Sequence, residues 1–169
     1  MEIRRLGPDD APAYRALRMR ALWEFPEAFT SSFEEDQKQP IEAWEVRLSS
    51  EHMIFWGALQ GEQLCGMVGM ERERRAKSRH KATMIGMYVA QEFFGTGMGR
   101  ALVDVLLDHA RAIGLEVVVL TVTEGNTVAT NLYERAGFRS FGIEPRAIKV
   151  EGRLFGKNHM YIELNPSTP

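Results

Sequence analysis

Three glycines at alternate positions, in the stretch VAQEFFGTGMGRAL from Val89 to Leu102, have the spacing that points most directly to chemistry. They follow an apolar run, and a basic residue and a second apolar run come directly after them. A glycine loop between a strand and the start of a helix turns backbone N–H groups outward, and the helix dipole favours an anion there. The loop alone permits two interpretations, a phosphate site or a tight turn that serves only packing.

Two common phosphate loops do not fit this stretch. A P-loop needs Gly-Lys followed by Ser or Thr, whereas this chain has Gly99-Arg100-Ala101. A dinucleotide fingerprint would need a third glycine where Arg100 stands. The single cysteine, Cys65, and the scattered histidines have no spacing typical of metal ligands. We therefore expect neither a nicotinamide or flavin site nor a metal site.

The glycine loop needs a strand before it and a helix after it. The segment ATMIGMYVA, residues 82–90, is apolar on both faces, as in a central strand. Apolar residues then recur at helical spacing from Met98 to Ala110, and EVVVLTV, residues 116–122, is a second such strand. This order predicts a parallel βαβ unit. A further helix is predicted between Asn126 as N-cap and Gly137 as the stop.

The two ends of the chain are predicted to add antiparallel strands and short helices. The N-terminal part has the strand EIRRL, a helix that ends at Phe25-Pro26, two short helical pieces, and a hairpin of MIFWGAL and QLCGMVGMERE. The charged run ERERRAKSRHK is predicted to be a solvated loop. Three strands, FRSFGI, RAIKV and LFGKNHMYIEL, finish the chain. The overall pattern is α/β, in the mixed α+β sense.

Two motifs in this order resemble the GNAT superfamily of acyl-CoA-dependent N-acyltransferases. The first is the strand and glycine loop, with Val89, Gly95, Gly97, Gly99 and Arg100. The second is N-x-x-A-x-x-L-Y-E-x-x-G-F, matched by Asn126, Ala129, Leu132, Tyr133, Glu134, Gly137 and Phe138. The resemblance covers residues 83 to about 141. It implies a GNAT-like fold, with a central mixed sheet of about seven strands, a splayed parallel pair and flanking helices.

The resemblance implies acetyl-CoA as cofactor, with CoA as product and no metal. The pantetheine arm would pair with the backbone of the strand before the loop and contact the start of the following helix, while the pyrophosphate would lie on the loop amides. The residues implied for binding are Met87, Tyr88, Val89, Phe94, Gly95, Thr96, Gly97, Met98, Gly99, Arg100, Asn126, Ala129 and Tyr133. Tyr133 matches the tyrosine that often donates a proton to the departing thiolate in this family.

The chemistry implied is direct attack of an unprotonated primary amine on the thioester, through a tetrahedral intermediate. A strand amide near Met87 or Tyr88 would stabilise the oxyanion. The amine must first lose a proton, and the candidate bases are Glu71, Glu73 and His80. The run SRHK surrounds His80 with positive charge that would repel an ammonium group, which favours the glutamates. The spacing does not single out one base.

One loop position departs from the family pattern. The family usually has Arg or Gln where this chain has Phe94. Backbone N–H groups hold most of the pyrophosphate, so the departure puts the tightness of binding in doubt rather than binding itself. It also keeps a second hypothesis open, a non-catalytic acyl-CoA-binding or sensing module. A third is an enzyme that acetylates protein lysines or N-termini, with the run from Arg72 to Lys81 docking an acidic partner.

Composition limits the remaining classes of function. The chain has 169 residues and a formal net charge of -2, which gives no general attraction to nucleic acid or anionic membrane. No signal peptide or apolar membrane span is visible, so a soluble cytoplasmic protein is expected. We expect one N-acetyltransferase domain over residues 1–165, a polar tail at 166–169, a small amine or peptide as substrate, and a possible homodimer. Phe29, Phe33, Trp44, Arg146 and Tyr161 lie in the segments expected to form the acceptor pocket.

Overall fold

Seven strands form one mixed sheet in the computed structural model, which describes residues 1–165. The spatial order of the strands is β1-β2-β3-β4-β5-β7-β6. The strands are β1 (Glu2–Arg5), β2 (Met53–Gln60), β3 (Gln63–Arg72), β4 (Lys81–Val89), β5 (Val117–Thr123), β6 (Arg139–Val150) and β7 (Arg153–Glu163). The helices are α1 (Ala11–Glu24), α2 (Phe33–Gln37), α3 (Ile41–Leu48), α4 (Met98–Ala112) and α5 (Thr127–Arg135).

The sheet separates two hydrophobic cores because its central strands are buried on both faces. One core contains the apolar stripe of α4, for example Leu102 and Leu106, together with Tyr133 of α5. The other contains residues of α1 and α3, among them Tyr14 and Trp44. Neighbouring residues of β2 point into opposite cores, as period-two alternation requires. The predicted mixed α/β sheet of about seven strands is confirmed.

The single parallel pair in the described sheet, β4 with β5, is hydrogen-bonded over only three positions. Residues 81–83 of β4 pair with residues 117–119 of β5. Beyond them β4 stays paired with β3 as far as Val89, and β5 stays paired with β7 as far as Thr123. The two strands therefore diverge towards their C-terminal ends, and their facing backbone edges open. This is the predicted splayed pair.

A β-bulge interrupts β4 beside this opening. Met67 of β3 pairs with Tyr88, and Gly69 pairs with Ile85, so two residues of β4 lie opposite one residue of β3. The first of these two residues is Gly86, with a φ of +59° that other residue types adopt only with strain. The apolar pattern of residues 82–90 predicts an uninterrupted strand and does not reveal the bulge. A glycine inside a strand pattern was the available signal.

The predicted N-cap of α5 is confirmed, whereas the N-cap of α4 was not predicted from the sequence. The N-cap of α4 is Gly97, whose φ of +86° lies in the left-handed region. Asn126 caps α5, where its side-chain oxygen accepts a hydrogen bond of 3.2 Å from the N–H of Ala129. The short helix α2 was not predicted, although Ser32 and Glu35 form a capping box at its start.

The last part of the sheet differs from the prediction. FRSFGI and RAIKV were expected to be separate strands, but one strand, β6, includes both. Its pairing with β7 is irregular between Glu144 and Ile148, where Pro145 has no N–H to donate and Arg146 has a φ of +53°. β6 is an edge strand of the sheet, and Phe141 on it is 60% exposed. The homodimer stays a prediction.

The expected domain limits also stay predictions, and residues 166–169 lie outside the described residues. Over residues 1–165, every helix is too short or too polar to cross a lipid bilayer.

Candidate functional site

A cleft of about 1230 Å³ opens where β4 and β5 diverge. Its floor is formed by the free edges of the two strands, and the start of α4 lies at one end. At the other end the segment from Phe25 to Ser31 lies over it. That segment is anchored at the end of β5, because the hydroxyl of Thr123 donates a hydrogen bond of 2.6 Å to the carbonyl of Glu27.

Almost all of the residues predicted to bind the cofactor line this cleft. They come from β4, the glycine loop and α5, and they are Met87, Tyr88, Val89, Phe94, Gly95, Gly97, Met98, Gly99, Arg100, Asn126, Ala129 and Tyr133. Thr96 is the exception: its side chain turns back to donate a hydrogen bond of 2.7 Å to the carbonyl of Phe93.

The glycine loop presents a set of unpaired amides at the start of α4. The first helical N–H that finds a carbonyl partner is that of Ala101, which donates to Gly97 at 3.0 Å. Within residues 1–165, no backbone hydrogen bond uses the N–H groups of Gly95, Gly97, Met98, Gly99 and Arg100. Five amides and the positive end of the helix dipole therefore form a cradle that suits a pyrophosphate.

Two amides of the predicted set are not free. The N–H of Phe94 donates to the carbonyl of Gln91 at 3.1 Å, and the N–H of Thr96 donates to the carbonyl of Phe93 at 3.4 Å. They close the short 3-10 helix from Gln91 to Phe93 instead of facing the cleft. Of the amides from Phe94 to Arg100 that the resemblance implies for the pyrophosphate, the five named above are the ones without a backbone partner.

The side chains of Phe94 and Arg100 do not contribute to this cradle, which consists of backbone groups. Phe94 is 55% exposed. The guanidinium of Arg100 points along α4, with hydrogen bonds of 2.8 Å to Asp104 and 3.0 Å to the carbonyl of Arg135. It joins the start of α4 to the end of α5, so the contribution of Arg100 to an anion site is its amide.

Tyr133 lines the cleft from α5. Its ring is 7% exposed and packs edge-on against Phe138, with 6.0 Å between ring centroids. Burial raises the pKa of the Tyr133 hydroxyl above its usual range, because the charged phenolate would lose its hydration. Tyr133 is therefore protonated at neutral pH and is available as a hydrogen-bond donor to a group in the cleft.

Of the three candidate bases, only Glu71 lines the cleft. It pairs with Thr83 of β4, close to the point where β4 and β5 diverge. Glu73 lies beyond the end of β3, and its N–H donates to the carbonyl of Lys81. His80 lies at the N-terminal edge of the parallel pair, where its carbonyl accepts a hydrogen bond from Glu116. The fold therefore places Glu73 and His80 away from the cleft.

Two further carboxylates line the cleft. Glu27 lies on the segment from Phe25 to Ser31, and Glu124 directly follows β5. Neither was predicted as a base from the sequence, because no motif surrounds them. Both reach the cleft through the tertiary fold: the N–H of Glu124 donates to the carbonyl of Gly156 on β7, at 2.9 Å.

Two arginines line the end of the cleft opposite the start of α4, which we call the acceptor end, and neither was predicted from the sequence. Arg18 and Arg47 line the main cleft and a smaller side pocket of about 350 Å³. Arg18 lies four residues after Tyr14 and four before Leu22, both of which are buried on the inner face of α1. A charged residue at a core-facing position was the available signal for Arg18. Of the expected acceptor residues, Phe29 lines the cleft and Trp44 lines the side pocket.

A chain of polar contacts joins α1 to the segment before the glycine loop. The hydroxyl of Tyr88 donates to Glu24 at 2.6 Å, and Arg20 donates to both Glu24 and Glu92. The hydrogen bonds from Arg20 lower the pKa of Glu92 to about 2. The pKa of Glu24 is lowered by its hydrogen bonds with Tyr88 and Arg20, and burial together with Glu24 raises the pKa of Tyr88. This polar chain keeps both carboxylates ionised at neutral pH.

The site contains acidic groups but no arrangement typical of a metal centre. Among residues 1–165, no group of three or more His, Cys, Asp or Glu side chains is placed to hold a metal ion.

Comparison with known proteins identifies the family. The sequence profile of the acetyltransferase (GNAT) family matches residues 18–138. N-alpha-acetyltransferase RimI of Mycobacterium tuberculosis is 35% identical over 118 residues, which are 69% of this chain and 72% of that relative. Mycothiol acetyltransferase of Geodermatophilus obscurus is 52% identical over 50 residues, which are 30% of this chain but only 16% of that relative.

A solved structure covers nearly the whole chain. The acetyltransferase of the GNAT family from Streptococcus pneumoniae has a TM-score of 0.87 and 25% sequence identity, and the match covers 96% of this chain and 99% of that chain. The splayed strands and the amide cradle both lie within the residues that the family profile matches. The chain belongs to the acetyltransferase (GNAT) family.

Proposed function

We propose that the protein is an N-acetyltransferase that moves an acetyl group from acetyl-CoA to a primary amine, on a small molecule or a peptide. The observation that carries this proposal is the continuity of the cleft. It joins the amide cradle of α4, the open edge of β4, Tyr133 and a carboxylate-lined acceptor end in one space. Each of these parts suits one step of acyl transfer, and the cleft brings them together.

The residues present suit acetyl-CoA. The five free amides match the charge and oxygen acceptors of a pyrophosphate. The free edge of β4 beyond Thr83 can pair with an amide-bearing arm as an added strand would. When bound, acetyl-CoA supplies the activated acyl group as a thioester.

The bulge at Gly86 turns the backbone of β4 at the point where the acyl group is expected. The N–H of Met87 or Tyr88 is proposed to stabilise the oxyanion that forms when the amine attacks. Stabilisation by a backbone amide requires a fixed strand, and β4 is fixed by its pairing with β3 on the opposite edge. Glu71, which lines the cleft from β3, is proposed to take the proton of the attacking amine through water.

Tyr133 is proposed to donate a hydrogen bond to the departing thiolate. Because burial raises its pKa, the hydroxyl is a weaker acid than a free phenol. Complete proton transfer to a thiolate, whose conjugate thiol has a pKa of about 8.5, would be uphill. We therefore expect Tyr133 to stabilise the leaving group by hydrogen bonding, with the proton coming finally from solvent.

The function is tested by release of free thiol from acetyl-CoA in the presence of amino acids, polyamines, aminoglycosides and peptides. We expect amine-dependent release with at least one of these classes. The Tyr133→Phe variant should lose about tenfold in kcat, the cost of one hydrogen bond to a charged group, without losing affinity for acetyl-CoA. Tyr161→Phe on β7 is the matched control and should keep the wild-type rate, because the structure places Tyr161 outside the lining of the cleft and the side pocket. Tight acetyl-CoA binding without thiol release on any amine would instead indicate a non-catalytic module.

A further inference from the structure

The acceptor end of the cleft contains a buried cation. The side chain of Arg18 is 8% exposed, yet it lines both the cleft and the side pocket. Its Nε donates to Asp36 of α2 at 2.8 Å, which orients the guanidinium. A Cβ added at Gly86 would lie 3.5 Å from Nη1 of Arg18. The terminal nitrogens of Arg18 therefore lie beside the bulge, next to the backbone proposed to bind the acyl group.

A second guanidinium, that of Arg47, borders the same two spaces from α3. Its carbon atom Cζ lies 4.8 Å from the ring centroid of Phe55, and its Nε donates a long hydrogen bond of 3.4 Å to the hydroxyl of Tyr14. In the described part of the chain, no carboxylate forms an ion pair with Arg47. Its charge is held by this ring and this hydroxyl, without a carboxylate partner in the described residues.

The charges around the side pocket do not balance. Its lining has two arginines and one carboxylate, Asp36, so one positive charge is left over. Burying a cation without a partner is costly, whereas a carboxylate placed between two guanidinium groups gains paired, charge-assisted hydrogen bonds. The same charge would repel a second ammonium group. The lining therefore selects for an acceptor that carries an anion near its reacting amine.

We infer that the acceptor is a free amino acid whose carboxylate is bound by Arg18 and Arg47 while its amine faces the bulge of β4. The position of Arg18 beside Gly86 requires the carboxylate and the amine to be close together, as in an α-amino acid. The side chain of the acceptor enters the side pocket, where Ala43, Val46 and Met53 supply apolar surface. A peptide N-terminus offers a neutral carbonyl at the same place and makes a poorer partner for the two arginines. This inference rests on the proposed function, because it names the substrate class of the same site.

The test compares acceptors that differ only in the charge of one group. L-leucine and L-phenylalanine are each compared with their amide and with the amine that lacks the carboxyl group, using release of thiol from acetyl-CoA. We expect kcat/KM for the amino acid to exceed that for the amide and the amine by about 10- to 100-fold. Equal or faster reaction of the amides or amines, with acetylation intact, would overturn the inference and leave the proposed function standing.

Two variants test whether the arginines cause the preference for the amino acid over its amide. Arg47→Gln removes one charge, and Arg18→Lys keeps the buried charge but loses the planar fork that binds a carboxylate. Both should reduce the preference for the amino acid over its amide to about fivefold or less, with KM for acetyl-CoA unchanged. Arg15→Gln, a half-buried neighbour on α1 that lines neither the cleft nor the side pocket, should keep the full preference. Because the readout is a ratio between two substrates of one variant, general loss of folded protein does not change it. A preference that survives in both variants would contradict the inference.

A binding measurement separates the inference from the proposed function. If no amine is acetylated, the proposed function is wrong, and calorimetric titration of L-leucine, L-phenylalanine and their amides into the CoA-saturated protein decides the inference. Binding of an amino acid but not of its amide would support the carboxylate site. Absence of binding for both amino acids, or equal binding of the amides, would exclude it.

Discussion

The two ends of the cleft recognise their ligands by different means. At the cofactor end the proposed binding groups are mainly backbone amides and the free edge of β4, within the contiguous segment from Met84 to Arg100, with Tyr133 of α5 beside them. At the acceptor end they are side chains from α1, α3, β3 and the segment after β5, separated by more than a hundred residues from Arg18 to Glu124. Backbone recognition tolerates many side chains but requires particular backbone angles, whereas side-chain recognition requires only that the fold bring the side chains together.

The two ends of the cleft are connected by hydrogen bonds. The polar chain from Tyr88 through Glu24 and Arg20 to Glu92 joins α1, which carries Arg18, to the segment that precedes the glycine loop. Substitutions can test whether backbone geometry governs the cofactor end, whether side-chain chemistry governs the acceptor end, and how much the polar chain contributes to the stability of the fold.

The largest effect is expected at the N-cap of α4. Gly97→Val forces a β-branched residue into a left-handed backbone and should turn the loop amides away from the pyrophosphate. Losing even one charge-assisted hydrogen bond would weaken acetyl-CoA binding by about tenfold or more, as measured by calorimetry. Gly114→Val is the control, because it places similar strain, at a φ of +79°, at the other end of the same helix. Both variants should unfold at lower temperature, but equal losses of acetyl-CoA affinity would show that the loop geometry has no special role.

The next effect concerns side-chain chemistry at the acceptor end. Glu71→Gln removes the proposed proton acceptor and should lower kcat/KM for the amine by about 100-fold, a typical contribution of a general base. Glu73→Gln is the matched control, two residues further along and outside the cleft, and should behave as wild type. Glu27→Gln and Glu124→Gln are the variants to measure if Glu71→Gln keeps its rate, a result that would reject Glu71 as the base.

A smaller effect is expected where this loop departs from the family pattern. Phe94→Arg adds a cation beside the cradle at an exposed position, where an ion pair is worth about 0.2–1 kcal/mol. Affinity for CoA should therefore rise by no more than about fivefold, and the gain should fall as salt is added. Phe94→Leu should leave affinity unchanged. A gain of a hundredfold would mean that the backbone cradle is insufficient by itself and that this loop is a weakened site.

The smallest effect should come from the polar chain between the two ends. Glu92→Gln removes a carboxylate whose pKa is lowered to about 2 in the folded protein by the hydrogen bonds from Arg20. Because the pKa of Glu92 is lower in the folded protein, the ionised carboxylate stabilises the fold fully above the pKa of the unfolded chain, near 4.3. This stabilisation is lost as the pH falls through the pKa of the folded protein. The variant should therefore unfold at a lower temperature than wild type at pH 7, and the difference should vanish as the pH approaches 2. Asp108→Asn is the control on α4, and an equal shift there would show that Glu92 contributes only general surface charge.

The sequence predicted the elements that border the cofactor end, because their determinants are local. Glycines at alternate positions, an N-cap asparagine and apolar periodicity each act within a few residues, so the βαβ unit and the limits of α4 and α5 could be stated in advance. The errors at this end were also local. The amide of Phe94 closes a 3-10 turn that the glycine pattern does not reveal, and Gly86 forms a bulge that apolar periodicity conceals.

The acceptor end could not be predicted in the same way. Glu71, Glu73 and His80 are close in sequence and chemically plausible, but strand register places only Glu71 in the cleft. Arg18 could have been noticed as a charge on an apolar helix face, yet its partner Asp36 lies on a short helix whose capping box was not used. Which side chains face one another depends on how α1, α3 and the sheet pack.

By itself the sequence determined the family, the mixed sheet with its splayed pair and the backbone cradle at the start of α4. These features depend on backbone angles and short-range periodicity, which residue types control directly. Only the tertiary structure decided which carboxylate and which arginines border the cleft, because those residues meet across contacts between elements distant in the chain. The glycine loop could be located from the sequence, whereas the acceptor that reacts beside it is selected by the packed fold.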